Sequence, residues 1–282
     1  VELGGVDAVW QRLDALDSAN ALTHPLAGKA GMALVGFLSV WFGIPLGYCG
    51  QPHVLVRFMA IRDAHAVRRG AIISTTWIFL LFAGAVLLGV FARAWYGTLN
   101  DPETVLPLVA GELLPGALAG VMIAAVLAAI CSTADSQLLV SASGISHDLY
   151  VRLLGRRAEN HRIVRFNRLA VLLVGMTGMF VALGEVRVIF DFVLYAWAGL
   201  GAAFGPALIL ILLWKRTSAA GVIAGMVAGF VTAIVWRETL HDYLYELVPA
   251  FFLAFIAVWL VSLLKPDDTI ASPDSPQVAG NP

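Results

Sequence analysis

Seven apolar segments, each long enough to cross a lipid bilayer as a helix, set the limits on how this chain folds. A spanning helix requires roughly 20 mostly apolar residues. The segments occupy residues 30–60, 70–94, 115–146, 167–184, 188–214, 218–236 and 247–264. We therefore predict an all-α protein with about seven transmembrane helices, embedded as a multi-pass protein in the cell (inner or plasma) membrane, with the lipid bilayer as its surroundings.

The composition excludes a soluble domain and several classes of function. Charged residues make up 13% of the 282 residues, against roughly 25% in soluble domains. A net charge of −1 gives no basic surface for nucleic acid. The sequence shows no nucleophile–base arrangement, phosphate-binding loop or metal-ligand cluster. We therefore predict neither an enzyme nor a cofactor.

Basic residues alternate between the loops and predict the orientation. Arginine and lysine concentrate in the connections 57–69, 147–168 and 214–217 and at Lys265, whereas the intervening loops carry few. The positive-inside rule places the basic loops in the cytoplasm. Residues 1–28 are then an extracellular or periplasmic loop or interfacial helix, 29–264 the transmembrane domain, and 265–282 a disordered cytoplasmic tail. The polar opening at Val1, without a signal-peptide pattern, suggests that a longer protein precedes it.

Two of the spans contain residues that interrupt helices. The first has Pro45, Gly47, Gly50 and Pro52 within GIPLGYCGQPH, which predicts a break or kink near residues 45–52. Irregular backbone at membrane depth is tolerated where it is buried or lines a cavity, although a proline kink for packing alone gives the same pattern. The fifth span, with AWAGLGAAFGP, is expected to be interrupted too; its small residues allow either close helix packing or a moving gate.

The third span carries polar side chains near its middle. Ala129, Ser132, Thr133 and Ser136 recur at helical spacing and share one face. Polar groups at that depth are expensive and usually face a cavity or pathway. Two hydroxyls and a carbonyl offer neutral oxygen ligands to a hard cation such as sodium, by extension from the oxygen preference of calcium and magnesium. The alternative is that each hydroxyl bonds a carbonyl of its own helix.

Three segments together resemble the sodium/solute symporter family. They are GYCGQPHVLVRFMAIRD at 47–63, AAVLAAICSTADSQLLVSASGISHDLY at 124–150 and YAWAGLGAAFGPALILILLWKRTSAAGVIAGMVAGFVTAIVW at 195–236. The likeness runs in order across residues 30–264 and is greatest to the sodium/proline symporter branch. It implies a fold of two inverted five-helix repeats. This chain would then be the C-terminal half, with the second repeat in its first five spans and two extra C-terminal helices.

The resemblance also implies which residues bind the ion and the solute. The family's sodium ligands match the Ala129 carbonyl and the Ser132 and Thr133 hydroxyls, held against a broken helix of the first repeat. Some relatives hold a second cation one turn further on, where this chain has Asp135 and Ser136. No metal other than sodium is implied.

The substrate region matches the broken helix, with its candidate residues Tyr48, Gln51 and Pro52. Tyr48 alternatively serves core packing. Proline-type members carry tryptophan where this chain has Ile44, and this departure counts against proline itself. The GQPH and RF residues of the same segment match those members and favour a small amino acid or similar carboxylate, so the expected solute is proline or a related amino acid.

The leading functional prediction is a secondary active transporter that couples sodium entry to uptake of a small organic solute. Two alternatives remain open at this point. One is a symporter-like sensory membrane module of a signalling protein, and the other is an inactive fragment. A long cytoplasmic region with kinase-type motifs after residue 265 would favour the sensor.

Overall fold

The computed structural model describes residues 4–16, 24, 26–146, 160–184, 189–240 and 242–266. Within these residues the regular structure is helical throughout. The α-helices are α1 Val6–Leu16, α2 Gly31–Tyr48, α3 Pro52–Met59, α4 Ala64–Tyr96, α5 Val105–Leu113, α6 Gly116–Ser143, α7 Asn160–Ala182, α8 Ile189–Leu213, α9 Ala219–Leu240 and α10 Leu247–Leu264. A single 3₁₀ turn, Pro102–Thr104, precedes α5.

Seven of these helical segments are long and apolar enough to cross a membrane. They are Gly31–Tyr48, Ala64–Tyr96, Gly116–Ser146, Ile163–Ala182, Phe190–Leu213, Ala219–Leu240 and Leu247–Leu264. The seven predicted spans are thereby confirmed. Most of the predicted tail 265–282, and most of the basic connection 147–168, lie outside the described residues.

The second spanning helix begins earlier than predicted because a polar residue caps it. The Asp63 side chain accepts a hydrogen bond of 2.7 Å from the Ala66 backbone N–H. Such a cap satisfies one of the donors left free at a helix N-terminus. The cap extends α4 through Arg68 and Arg69, ahead of the apolar run that the sequence analysis took as the start of the span.

Chain segments Val1–Lys29 and Phe58–Val181 form one compact unit, and segments Ala30–Arg57 and Ala182–Pro282 form a second. In the first unit, α1 is an amphipathic helix whose Val9 and Leu13 pack against Val90 and Ala94 of α4. Earlier in α4, large side chains such as Phe79 are exposed. Exposed apolar surface of this kind is what a lipid-facing helix presents.

In the second unit, α9 packs against α10 through a row of small residues. Gly221, Gly225, Gly229 and Ala233 follow one another at intervals of four and are all buried. A Cβ atom on Gly221 or Gly225 would overlap Ser262 or Val258 of α10. Small residues at this spacing let two membrane helices approach closely, and dispersion contacts then hold the pair together.

The fifth span is continuous, so the prediction that it is interrupted was wrong. Helix α8 runs through Pro206 without a break. Proline has no N–H, so the carbonyl of Ala202, four residues earlier, loses its usual helical donor. The bare Cα of Gly229 in α9 lies against that carbonyl. Close packing through small residues is therefore present beside Pro206.

The turn between α9 and α10 is held by buried polar contacts. The backbone N–H of Tyr245 donates to Ser39 Oγ of α2 at 2.9 Å, and the Tyr245 hydroxyl donates to the Leu194 carbonyl of α8 at 2.9 Å. Next to it, the fully buried Glu246 pairs with Arg237 at 3.4 Å. Burial, and secondly the charge of Glu246, raise the pKa of Tyr245 well above its usual range, so its hydroxyl remains a donor at any physiological pH.

Candidate functional site

The first predicted span, residues 30–60, is divided between two helices within the predicted 45–52, although α2 runs through Pro45 without a break. Helix α2 ends at Tyr48, three residues follow, and α3 begins at Pro52. The Gly47 carbonyl at the end of α2 accepts from the Gly50 backbone N–H at 3.1 Å and from Gln51 Nε2 at 3.3 Å. Proline suits the first position of a helix, because its missing N–H would have no helical partner there.

The break packs directly onto α8, within the second unit. A Cβ atom on Gly50 would lie 2.7 Å from the Gly201 Cα, the Gly201 oxygen and the Leu200 oxygen. A Cβ atom on Gly201 would in turn lie 2.7 Å from the Gly47 Cα. The two backbones therefore touch without intervening side chains, an approach that glycine alone permits.

Of the three predicted substrate residues, Gln51 is buried and the other two are partly accessible. The Gln51 amide donates to the Gly47 carbonyl and, at 3.3 Å, to the Trp197 carbonyl of α8. Tyr48 is 45% exposed, and its ring meets the Trp197 ring edge to face, with centroids 4.7 Å apart. Pro52 is half-buried. Gln51 thus fastens the break to α8, whereas part of the Tyr48 side chain stays exposed.

The predicted sodium ligands lie together on one turn of α6, in the first unit. The Ser132 hydroxyl donates to the Ala129 carbonyl at 2.9 Å, and the Thr133 hydroxyl donates to the same carbonyl at 3.0 Å. Three oxygen atoms are thus gathered around one point near the middle of the helix. The alternative interpretation, in which each hydroxyl only bonds a carbonyl of its own helix, predicts the same contacts.

The residues suggested for a second cation site are arranged differently. The Ser136 hydroxyl donates to the Ser132 carbonyl at 2.9 Å, one turn beyond the three-oxygen cluster. Asp135 is exposed, and its carboxylate takes part in none of these hydrogen bonds. An open hollow of about 440 Å³ runs along this face of α6 and includes Ala129, Thr133 and Gln137. Thr133 therefore borders open space.

Trp197 is the residue at the break that the sequence analysis missed. Its indole Nε1–H donates to the Ile44 carbonyl at 3.1 Å, its own carbonyl accepts from Gln51, and its ring contacts Tyr48. The available signal was its place in AWAGLG, where one large aromatic side chain stands among small residues. That pattern indicates close packing but does not name the partner helix.

These features define a multi-pass membrane protein with a discontinuous helix, an arrangement found at the binding sites of many transporters. Across the described residues, no three His, Cys, Asp or Glu side chains are grouped to hold a metal ion. The model of the sodium:solute symporter family matches residues 1–229, most of the chain. The chain belongs to the sodium:solute symporter family. No solved structure matches it at a significant level.

Several curated relatives are similar to this chain. The "High-affinity proline transporter PutP" of Bacillus subtilis is 41% identical over 239 residues, covering 83% of this chain and 50% of the relative. The "Osmoregulated proline transporter OpuE" of the same organism is 35% identical, covering 93% and 54%. The "Sodium/proline symporter" of Escherichia coli is 38% identical, covering 83% and 48%. The relatives are transporters and not enzymes, and the chain spans about half their length.

Proposed function

We propose that this chain forms part of a secondary active transporter in which sodium entry drives uptake of proline or a related amino acid. The observation that carries the proposal is the three-oxygen cluster of Ala129, Ser132 and Thr133 in a chain of the sodium:solute symporter family. The names of the relatives support proline as the solute. Sodium is the coupling ion, and the reaction makes and breaks no bond in the solute.

The cluster can change from a self-bonded state to an ion-binding state by rotation of two hydroxyls. In the structure both hydroxyl oxygens lie within hydrogen-bond distance of the Ala129 carbonyl oxygen, with each hydroxyl as the donor. A Ser or Thr hydroxyl has two lone pairs and one hydrogen, and it rotates to suit its partner. If the hydrogens turn away, both hydroxyl oxygens and the carbonyl oxygen present lone pairs to one cation. The cost is two local hydrogen bonds, each worth roughly 0.5–1.5 kcal/mol.

Three neutral oxygens are fewer than a hard cation needs to replace its water. Calcium takes 6–8 oxygen ligands, and by extension sodium requires further oxygens from outside this turn of α6. The proposal assigns those oxygens to other parts of the complete protein or to water. Asp135 and Ser136 remain candidates for a second cation, supported only by their position one turn further along α6.

On the solute side, we assign contact to Tyr48 and Pro52 and support to Gln51. Tyr48 has exposed ring surface beside the break, and Pro52 opens α3 next to it. The Gln51 amide donates to two backbone carbonyls, so it holds the irregular backbone in place. A broken helix also leaves backbone N–H and C=O groups free to bind charged ends of a small molecule.

Uptake of labelled proline tests the proposed function directly. The protein, as its gene encodes it in full, is reconstituted in vesicles, and uptake is measured with an inward sodium gradient and with potassium replacing sodium. We expect uptake that requires sodium and stops when an ionophore collapses the gradient. Equal uptake in potassium, or no uptake of proline or other amino acids, would refute sodium-coupled amino-acid transport.

Tyr48→Ala is expected to weaken binding of the solute more than binding of the ion. Removal of the ring takes away apolar contact area at the exposed side of the break, so the proline concentration for half-maximal uptake should rise about tenfold, or roughly 1.4 kcal/mol. The sodium requirement at saturating proline should change less than threefold. Tyr243→Ala removes another exposed tyrosine of the same unit and serves as the control. An unchanged proline requirement in well-expressed Tyr48→Ala would assign Tyr48 to packing.

We also propose that residues 1–28 lie outside the cell and that the C-terminus lies in the cytoplasm, because the basic loops alternate along the chain. Cysteines introduced singly at Asp101 and Asp242 should react in intact cells with an impermeant maleimide. Cysteines at Arg156 and Arg157, in a loop outside the described residues, should react only after the cells are opened. Labelling of the 156–157 positions from outside would reverse the proposed orientation.

A further inference from the structure

Trp197 contacts the break from both of its sides. On the upstream side, its indole N–H donates to the Ile44 carbonyl in the last turn of α2. On the downstream side, its backbone carbonyl accepts from the Gln51 amide. One residue of α8 therefore joins the end of α2 to the residue that precedes α3. Both contacts connect positions about 150 residues apart, so they are tertiary and not local.

The indole reaches this place only because Gly47 has no side chain. A Cβ atom on Gly47 would overlap the indole Nε1 and its neighbouring ring carbon. The Nε1 edge of the Trp197 indole thus lies against bare backbone at Gly47. From there it meets the Tyr48 ring at an interplanar angle of 80°. Edge-to-face aromatic pairs of this kind add roughly 0.5–1.5 kcal/mol beyond the area they bury.

We propose that Trp197 is a positioning residue for solute binding: it holds the end of α2 and the Tyr48 ring in the arrangement that the solute meets. The inference rests on the proposed function. It assigns the positioning role to a residue of α8, which lies outside the broken helix. The two rings make a right-angled corner with Tyr48 partly open. Such a corner suits a compact solute with a small saturated ring or short side chain, and a bulky amino acid would force the rings apart.

The test separates the indole hydrogen bond from the aromatic ring. Trp197→Phe keeps a ring beside Tyr48 but removes the donor to Ile44, and Trp197→Leu removes both. The matched control is Trp236→Phe, because the Trp236 indole makes the same kind of bond, to the Leu244 carbonyl at 3.1 Å, in the α9–α10 region. Each variant is assayed for its proline and sodium requirements and for inhibition of proline uptake by bulkier amino acids.

We expect Trp197→Phe to raise the proline concentration for half-maximal uptake by about three- to tenfold, the fold-change that one lost hydrogen bond produces. Trp197→Leu should raise this proline concentration further and should let bulkier amino acids inhibit proline uptake. The sodium requirement at saturating proline should stay within twofold in both. The inference is overturned if Trp197→Phe lowers only the maximal rate or the amount of protein, as a structural role would, or if Trp236→Phe has the same effect on proline.

A second measurement does not depend on the identity of the solute. Cys49 lies inside the break and is partly buried, so its labelling rate by a maleimide reports how firmly the break is held. With every other cysteine replaced, Trp197→Phe should label at least threefold faster than the parent, and Trp236→Phe at the parent rate. If the parent takes up neither proline nor another amino acid, the proposed function fails, yet faster labelling still supports the positioning role. Unchanged labelling together with unchanged uptake overturns it.

Discussion

Ser132→Ala and Thr133→Ala are each expected to raise the sodium concentration for half-maximal uptake by one to two decades. A sodium ion loses water when it enters a protein site, and each missing oxygen leaves part of that loss uncompensated. A hydrogen-bonding group that meets a charge contributes roughly 1.5–3 kcal/mol, which is about one to two decades in affinity. Because binding is linked, the proline requirement measured at low sodium should rise as well.

Controls distinguish an ion ligand from a hydroxyl that only bonds its own helix. Thr177 lies on α7, and its hydroxyl donates to the Leu173 carbonyl four residues earlier at 2.9 Å, the same local geometry as that of Thr133. Thr177→Ala, and Ser141→Ala further along α6, should leave the sodium requirement within twofold. Thr133→Ser keeps the hydroxyl and should stay close to the parent. Normal sodium dependence in well-expressed Ser132→Ala and Thr133→Ala would show that the ion binds elsewhere.

The bilayer makes the spanning helices the most predictable part of this fold. Backbone polar groups in the hydrocarbon core have no water to bond, and a helix satisfies them within one segment, so a long apolar run is expected to form a helix. The break at Cys49–Gln51 was predictable for a related reason, because Gly47, Gly50 and Pro52 weaken a helix locally. Helix α5 was not predicted, since Val105–Leu113 is too short to span and its sequence contains both Pro107 and Gly111.

Features that depend on contacts between distant segments could not be predicted from the sequence pattern. The residues AWAGLGAAFGP suggested an interruption, but α8 is continuous, and Gly229 of α9 packs against the Ala202 carbonyl that Pro206 leaves without a donor. Likewise, nothing near Ile44 indicates that its carbonyl binds the indole of Trp197. The proposed sodium ligands were partly predictable. Helical spacing places Ser132 and Thr133 beside the Ala129 carbonyl, but spacing alone does not decide whether an ion joins them.

Close contact between the break and α8 predicts that a single methyl group at Gly50 will be severely damaging. In Gly50→Ala, the new Cβ would lie 2.7 Å from the Cα and oxygen of Gly201 and from the Leu200 oxygen. These are backbone atoms, so no side chain can rotate to make room, and the helices must separate. Overpacking of this kind typically costs roughly 1–3 kcal/mol. We expect proline uptake to fall more than tenfold and the thermal unfolding temperature in detergent to drop.

Two further variants test whether this contact is the cause. Gly199→Ala adds a methyl group to the same helix where the nearest atoms are ring carbons of Phe230 at 3.7 Å, an ordinary contact. It should retain uptake and thermal stability, because alanine is the better helix former. Gly201→Ala should be as damaging as Gly50→Ala, since its Cβ would meet the Gly47 Cα at 2.7 Å. The double variant should cost less than the sum of the two, because helices already separated by one methyl group accommodate the second. Full uptake and an unchanged unfolding temperature in Gly50→Ala would show that α8 does not pack on the break in the working protein.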